Sequence, residues 1–174
     1  MLYLAKADHG LLTPRREPLD LAQEVEALLE FYALLAEESQ IQLTHEGSGQ
    51  LAGDRSMLRR ALSNLLDNAI EACKTQKGTR LIRVKIQCSE EKTILSVMNT
   101  IDKAPVMENG LPVTTKADPL AHGYGLQNIV SILADHGACP AILCQDGWFQ
   151  FSTVLFHQTI SPAPEHDQIT QKSL

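Results

Sequence analysis

Arg60, Asn64, Asp67, Asn68 and Glu71 recur at i, i+4, i+7, i+8 and i+11 in the run RRALSNLLDNAIEAC. On a helix that spacing forms one stripe, with Asn64 and Asn68 stacked a turn apart. Such a stripe reads first as a solvated face. Its residue choice argues for more, because surface helix positions favour Lys, Glu, Gln and Arg, whereas Asn and Asp lower helix propensity. An Asn carbonyl oxygen is a hard, neutral donor suited to Mg²⁺, which takes few protein ligands and leaves the rest to phosphate and water. A second stretch, AHGYGLQNIVSILADHG at 121–137, sets Gly123 and Gly125 before Leu126, Ile129, Val130 and Leu133, which fall at helical spacing. A helix starting there points free N–H groups and its positive dipole end outward, a setting that favours phosphate. Glycine permits positive φ and a close approach of the backbone to an anion. Taken alone, G-x-G also reads as a plain turn. Just upstream, Thr114, Thr115 and Lys116 add two hydroxyls and one movable cation, enough to contact a triphosphate.

The elements that position these groups follow from periodicity. Asp20 with Gln23 three residues on is a capping pattern, and Leu21, Val25, Leu28, Leu29 and Tyr32 predict a helix ending near Glu38. Ile41, Leu43 and His45 alternate with polar residues, which predicts a half-buried strand closed by Gly47-Ser48-Gly49. Asp54 caps a second helix running to about Lys74, with Gly78 as its stop. Ile82 to Cys88 and Thr93 to Asn99 predict an antiparallel hairpin. From Thr100 to Ala121 the pattern is lost, as expected of a functional lid. Ala141 to Gln145 and Trp148 to Phe156 predict a closing hairpin through Asp146-Gly147. Residues 1–18 read as the end of a helix plus a Pro-containing connector, and 158–174 as a polar disordered tail.

Composition bounds the class. The chain has 174 residues, 44% of them hydrophobic, which suits one globular α/β or α+β domain with a core of its own. A formal net charge of -6 excludes the clustered basic footprint that nucleic acid or anionic membrane requires. Cys73, Cys88, Cys139 and Cys144 show no C-x-x-C spacing and are expected to be reduced core residues of a cytosolic protein. Neither an export signal nor a membrane span is legible, so a cytoplasmic location is expected.

The order of these pieces, an Asn-bearing helix, a hairpin, a lid, a Gly-Gly helix and a closing hairpin, resembles the Bergerat (GHKL) ATP-binding fold. RRALSNLLDNAIEAC (59–73) is similar to the N box of the catalytic ATP-binding domain of bacterial sensor histidine kinases. TTKADPLAHGYGLQNIV (114–130) is similar to that domain's lid and second glycine box, and the likeness runs from about Pro18 to Phe156. The resemblance implies a two-layer α/β sandwich with a mixed sheet and a flexible ATP lid, spanning 19–157. It implies Asn64 and Asn68 as catalytic residues, with Asn68 holding Mg²⁺, Asn64 facing the phosphates, and Asp67 and Glu71 in the ATP-binding set. Thr115 and Lys116 would belong to the lid, and Gly123, Tyr124, Gly125 and Leu126 would border the phosphate tail. His122 beside them touches nucleotide or faces solvent from the lid. Branches of the superfamily that hydrolyse ATP carry a Glu base where Asn64 stands here. An amide cannot take a proton, so water is poorly activated and the γ-phosphate survives for transfer to a histidine imidazole.

Two departures qualify the likeness. The first glycine box, D-x-G-x-G, is missing, and SVMNTIDKAPVMENG places Asn99 where the adenine-reading Asp would stand. Its loss, with the G-Y-G-L and N-T segments, resembles kinases that sense peptide pheromones, whereas LYLAKADHGLL through MLRRALSNLL resembles heavy-metal-type sensor kinases. The second departure is that none of the six histidines has the helical His-Glu…Pro setting of a phosphoacceptor. The resemblance therefore implies a separate helical phosphoacceptor domain, on the same or a sister chain, as substrate and a response regulator downstream. The fragment itself is expected to be a monomer or weak dimer. The rival readings are a degenerate, non-catalytic interaction module and a serine kinase of the anti-sigma type.

Overall fold

The computed structural model describes residues 16–113, Leu126, Ile129, Val130, Leu133 and 138–157. Strand β1 (Glu17–Asp20) runs directly into helix α1 (Leu21–Glu38). Asp20 ends the strand and caps the helix, its Oδ1 accepting from the N–H groups of Ala22 at 3.1 Å and Gln23 at 3.2 Å. After β2 (Gln42–Glu46) and β3 (Gln50–Gly53), Asp54 caps helix α2 (Arg55–Lys74) in the same way, accepting from the N–H groups of Ser56 and Met57. Thr75, rather than Gly78, closes α2. The hairpin of β4 (Leu81–Cys88) and β5 (Lys92–Thr100) follows, then β6 (Met107–Glu108), β7 (Leu111–Pro112), β8 (Cys139–Gln145) and β9 (Trp148–Phe156).

The main sheet is five-stranded in the order β2-β4-β5-β9-β8. Only the β2–β4 pair is parallel, so the sheet is mixed, as expected. Alternation decides its two faces. Ile82, Val84 and Ile86 of β4, Leu95 and Val97 of β5, and Phe151 of β9 join Leu21, Val25 and Tyr32 of α1 and Leu62, Leu66 and Ile70 of α2 in one buried cluster. The opposite face is largely polar, with Lys85 Nζ 3.1 Å from Glu46 Oε1 and Arg83 stacked over the Trp148 ring. This is a two-layer α/β sandwich.

Gly47 is required where β2 ends. Its φ is +85°, and a Cβ there would lie 1.9 Å from the carbonyl oxygen of Ile86, so only glycine lets the chain pass over β4. In the closing hairpin Asp146 and Gly147 both adopt positive φ, the conformation a two-residue turn matched to strand twist demands.

Three expectations need correction. The connector assigned through Pro18 is strand from Glu17 onward, paired antiparallel with β3 in the register Glu17↔Gly53 to Asp20↔Gln50. Both partners are four residues long, too short for alternation to register above noise. The stretch from Thr100 is not featureless, because β6 and β7 pair around Asn109-Gly110, both at positive φ. That Asn-Gly pair was the signal available. Finally, Cys73 is buried but Cys144 is half-buried and Cys88 is exposed, the last paired residue of β4 lying past its buried alternation. The tail at 158–174 and the segment before Arg16 lie outside the described residues.

Candidate functional site

Helix α2 sorts its side chains by chemistry. Leu62, Leu65, Leu66, Ala69, Ile70 and Cys73 are buried against the sheet and α1. Arg60, Asp67, Asn68 and Glu71 are exposed and Asn64 is half-buried, so the sequence-read stripe forms as one open face. The amides of Asn64 and Asn68 make no hydrogen bond among the described residues. Two unengaged amides a turn apart on a well-formed helix leave oxygen acceptors and N–H donors available to a ligand. Asp67 is different. Its Oδ1 accepts from the Tyr32 hydroxyl at 2.8 Å, which ties α1 to the polar face of α2. Burial first, then this bond and the Asp67 charge, push the Tyr32 phenol up to about 12.

The first turn of α2 carries a closed ionic cluster. Glu24 of α1 is 3% exposed, and its carboxylate accepts from Arg55 Nη1 and, at 2.6 Å, from Arg59 Nε. Arg55 Nε also reaches Glu17 of β1 at 3.1 Å, so one guanidinium joins β1, α1 and α2. Hydrogen bonds to Glu17 head the effects that raise the Arg55 pKa.

At the far end of α2, Asn99 of β5 is 3% exposed and lies in register between Ile82 of β4 and Phe149 of β9. Its Nδ2 donates to the carbonyl oxygen of Thr100 at 3.0 Å, and its Oδ1 accepts nothing among the described residues. The same carbonyl accepts from Nε2 of Gln76, the residue following the α2 cap. The Thr100 hydroxyl donates to the carbonyl oxygen of Thr79 at 2.8 Å and accepts from the Leu81 N–H at 3.1 Å. This network was not anticipated. No sequence signal announced it, because a polar Gln after a helix cap reads as solvent-facing and Gln76 is buried only by the fold.

Leu126, Ile129, Val130 and Leu133 are helical and pack on the core, Ile129 being 2% exposed. The helix expected after the glycine pair therefore exists where it is described. Leu126 spends its side chain on the core, so any contribution to phosphate binding comes from its backbone. Thr115, Lys116, His122, Gly123, Tyr124 and Gly125 lie outside the described residues. Asn64, Asp67, Asn68 and Glu71 thus share one helix face, and Asn99 sits at the end of the strand beneath it. Among the described residues no helix is long and apolar enough to cross a membrane, and no three His, Cys, Asp or Glu side chains cluster to hold a metal.

The family model described as GHKL domain matches residues 56–156, from the first turn of α2 through β9. The chain belongs to the GHKL domain family. Over 153 residues it is 33% identical to sensor histidine kinase CusS of Escherichia coli K12, covering 82% of this chain and 31% of that protein. Over 71 residues it is 51% identical to probable sensor protein PcoS of Escherichia coli, covering 41% of this chain and 15% of that protein. This GHKL chain therefore spans less than a third of either relative. Its fold matches the catalytic domain of histidine kinase ThkA in a nucleotide-free form, with a TM-score of 0.65 at 18% identity, covering 81% of this chain and 96% of that one.

Proposed function

We propose that this GHKL chain is the ATP-binding catalytic domain of a longer sensor histidine kinase, working on the cytoplasmic side. It would bind Mg-ATP and pass the γ-phosphate to a histidine on a helical domain outside 19–157, from which a response regulator would take it. The observation that carries the reading is the pair of unengaged amides, Asn64 and Asn68, held on a helix whose other face is packed into the core. The family membership and the likeness to named sensor kinases support it.

The donor set fits Mg²⁺. Asn68 offers a neutral oxygen at an exposed position, and Glu71 lies a turn away on the same stripe. With no three-residue acidic or His/Cys cluster among the described residues, the ion would draw its remaining ligands from phosphate oxygens and water. Bound there, Mg²⁺ would neutralise charge on the phosphate oxygens. Asn64 would hold the phosphates by donating from its amide, and having no proton-accepting group it leaves water unactivated. Asn99, with Thr115, Lys116, His122, Gly123, Tyr124, Gly125 and Leu126 from the lid side, would complete the ATP-binding set.

Calorimetric titration with ATP and GTP, each with and without Mg²⁺, tests the reading. Saturable, Mg²⁺-dependent ATP binding is the expected result, and no binding at millimolar nucleotide overturns it.

A further inference from the structure

We infer that the outer side of α1 is a docking surface for a basic-flanked amphipathic helix of a partner protein: Phe31, Leu34 and Leu35 supply the apolar contact, and Glu30, Glu37 and Glu38 meet the partner's Lys and Arg. The inference does not rest on the nucleotide-binding reading, which uses α2 and the lid side.

Helix α1 already buries Leu21, Val25, Tyr32 and Ala36 on its inner face, yet Phe31 is 78%, Leu34 69% and Leu35 37% exposed. Their spacing of i, i+3 and i+4 gathers them on one side of the helix. Phe31 is also held in place, its ring edge-on to that of Tyr32 with centroids 5.2 Å apart. Single exposed apolar residues are ordinary on a protein surface, but adjacent ones in a fixed stripe mark a place where a partner excludes water.

The surrounding charges specify the occupant. Helix α1 holds Glu24, Glu26, Glu30, Glu37 and Glu38 and neither Lys nor Arg. Glu24 is taken by Arg55 and Arg59, and Glu26 lies 3.5 Å from His45. Glu30, Glu37 and Glu38 are exposed and meet no cation among the described residues. At about 3.6 residues per turn, Glu30 and Glu37 border the Leu34 edge of the stripe and Glu38 falls between Leu34 and Phe31. Glu37 and Glu38 also stand in the last turn, where the negative end of the helix dipole repels carboxylates and Lys or Arg would serve the fold better. An unmatched acidic rim around an apolar stripe is complementary to a helix that carries apolar residues at i, i+3 and i+4 between Lys and Arg. A second copy of this chain would set the same carboxylates against one another, and an anionic lipid surface would meet them with its own negative charge.

The test uses the intact chain and a synthetic helical peptide with Leu at i, i+3, i+4 and i+7 and Lys at its remaining positions, followed by fluorescence anisotropy. The same peptide with Glu in place of Lys, and a scrambled peptide of identical composition, are the comparisons. The ordered Lys peptide is expected to bind at least about tenfold tighter than either, since the scrambled one keeps the charge and loses the apolar seam. Phe31→Gln with Leu34→Gln is expected to remove the preference for the ordered peptide, and Gln keeps the helix propensity of α1. Glu30→Lys, Glu37→Lys and Glu38→Lys together are expected to transfer binding to the Glu peptide while the melting temperature holds or rises. Equal binding of ordered and scrambled peptides, or a preference untouched by either set of substitutions, overturns the inference. So does sedimentation showing a dimer that the Gln pair dissolves, which would make a second copy the occupant, and so does stripe-dependent binding to phosphatidylserine vesicles.

Discussion

The two ends of α2 treat polar side chains in opposite ways. In the first turn Arg55 and Arg59 close on the buried carboxylate of Glu24, and Arg55 reaches on to Glu17. One to three turns later Asn64 and Asn68 stand on an equally regular stretch of the helix with no partner among the described residues. A buried charge without partners is expensive, so the fold supplies them. An exposed amide costs little to leave open, and its cost appears instead as lower helix propensity. Polar residues that hold the fold are thus already engaged, and the two amides proposed to meet a ligand are not, among the described residues.

Substitutions can break this contrast. Asn68→Ala should abolish Mg²⁺-dependent nucleotide binding while stability holds or rises by up to roughly 0.7 kcal/mol, the propensity difference. Parallel calorimetry and urea titration check it, and retained affinity would remove Asn68 from the site. Glu24→Gln should do the reverse, costing about 1–3 kcal/mol in urea unfolding and leaving nucleotide affinity unchanged. Its two guanidinium partners are partly exposed and can rehydrate, which keeps the loss below that of a fully buried pair.

Tyr32 sharpens the comparison because it joins the two regimes through Asp67. Its pKa is raised from 10 to about 12 in the folded chain, so its contribution is fully present below pH 10 and is lost as pH rises toward 12. Tyr32→Phe should cost about 1 kcal/mol at neutral pH, and the gap to the unmodified chain should close across that alkaline window. Arg60→Ala should change stability by less than about 0.5 kcal/mol, since Arg60 is exposed and, unlike Arg59 beside it, touches no carboxylate among the described residues.

What was readable in the chain follows the same division. Long periodic segments declared themselves: α1, α2 and the β4–β5 and β8–β9 hairpins fall close to where spacing and turn residues predict them. The polar stripe was equally legible, because a helix translates spacing directly into a face. Glu17–Asp20 and Gln50–Gly53 were not, since four-residue strands draw their stability from each other and carry no pattern of their own. Tyr32 with Asp67, Arg55 with Glu24, and Gln76 with Thr100 escaped for a related reason. Each pair joins residues 24 to 35 positions apart, and only the packed fold brings them together.

Asp20 has a mechanical meaning as well as a capping one. It is at once the last rung of the β1–β3 ladder and the anchor of the first turn of α1, with no residue of slack between them. A twist applied to β1 has no swivel in which to dissipate before it reaches α1. From there the Tyr32–Asp67 bond ties α1 to the helix face that carries Asn64 and Asn68, so β1, α1 and that face are joined in series with no free loop between the first two.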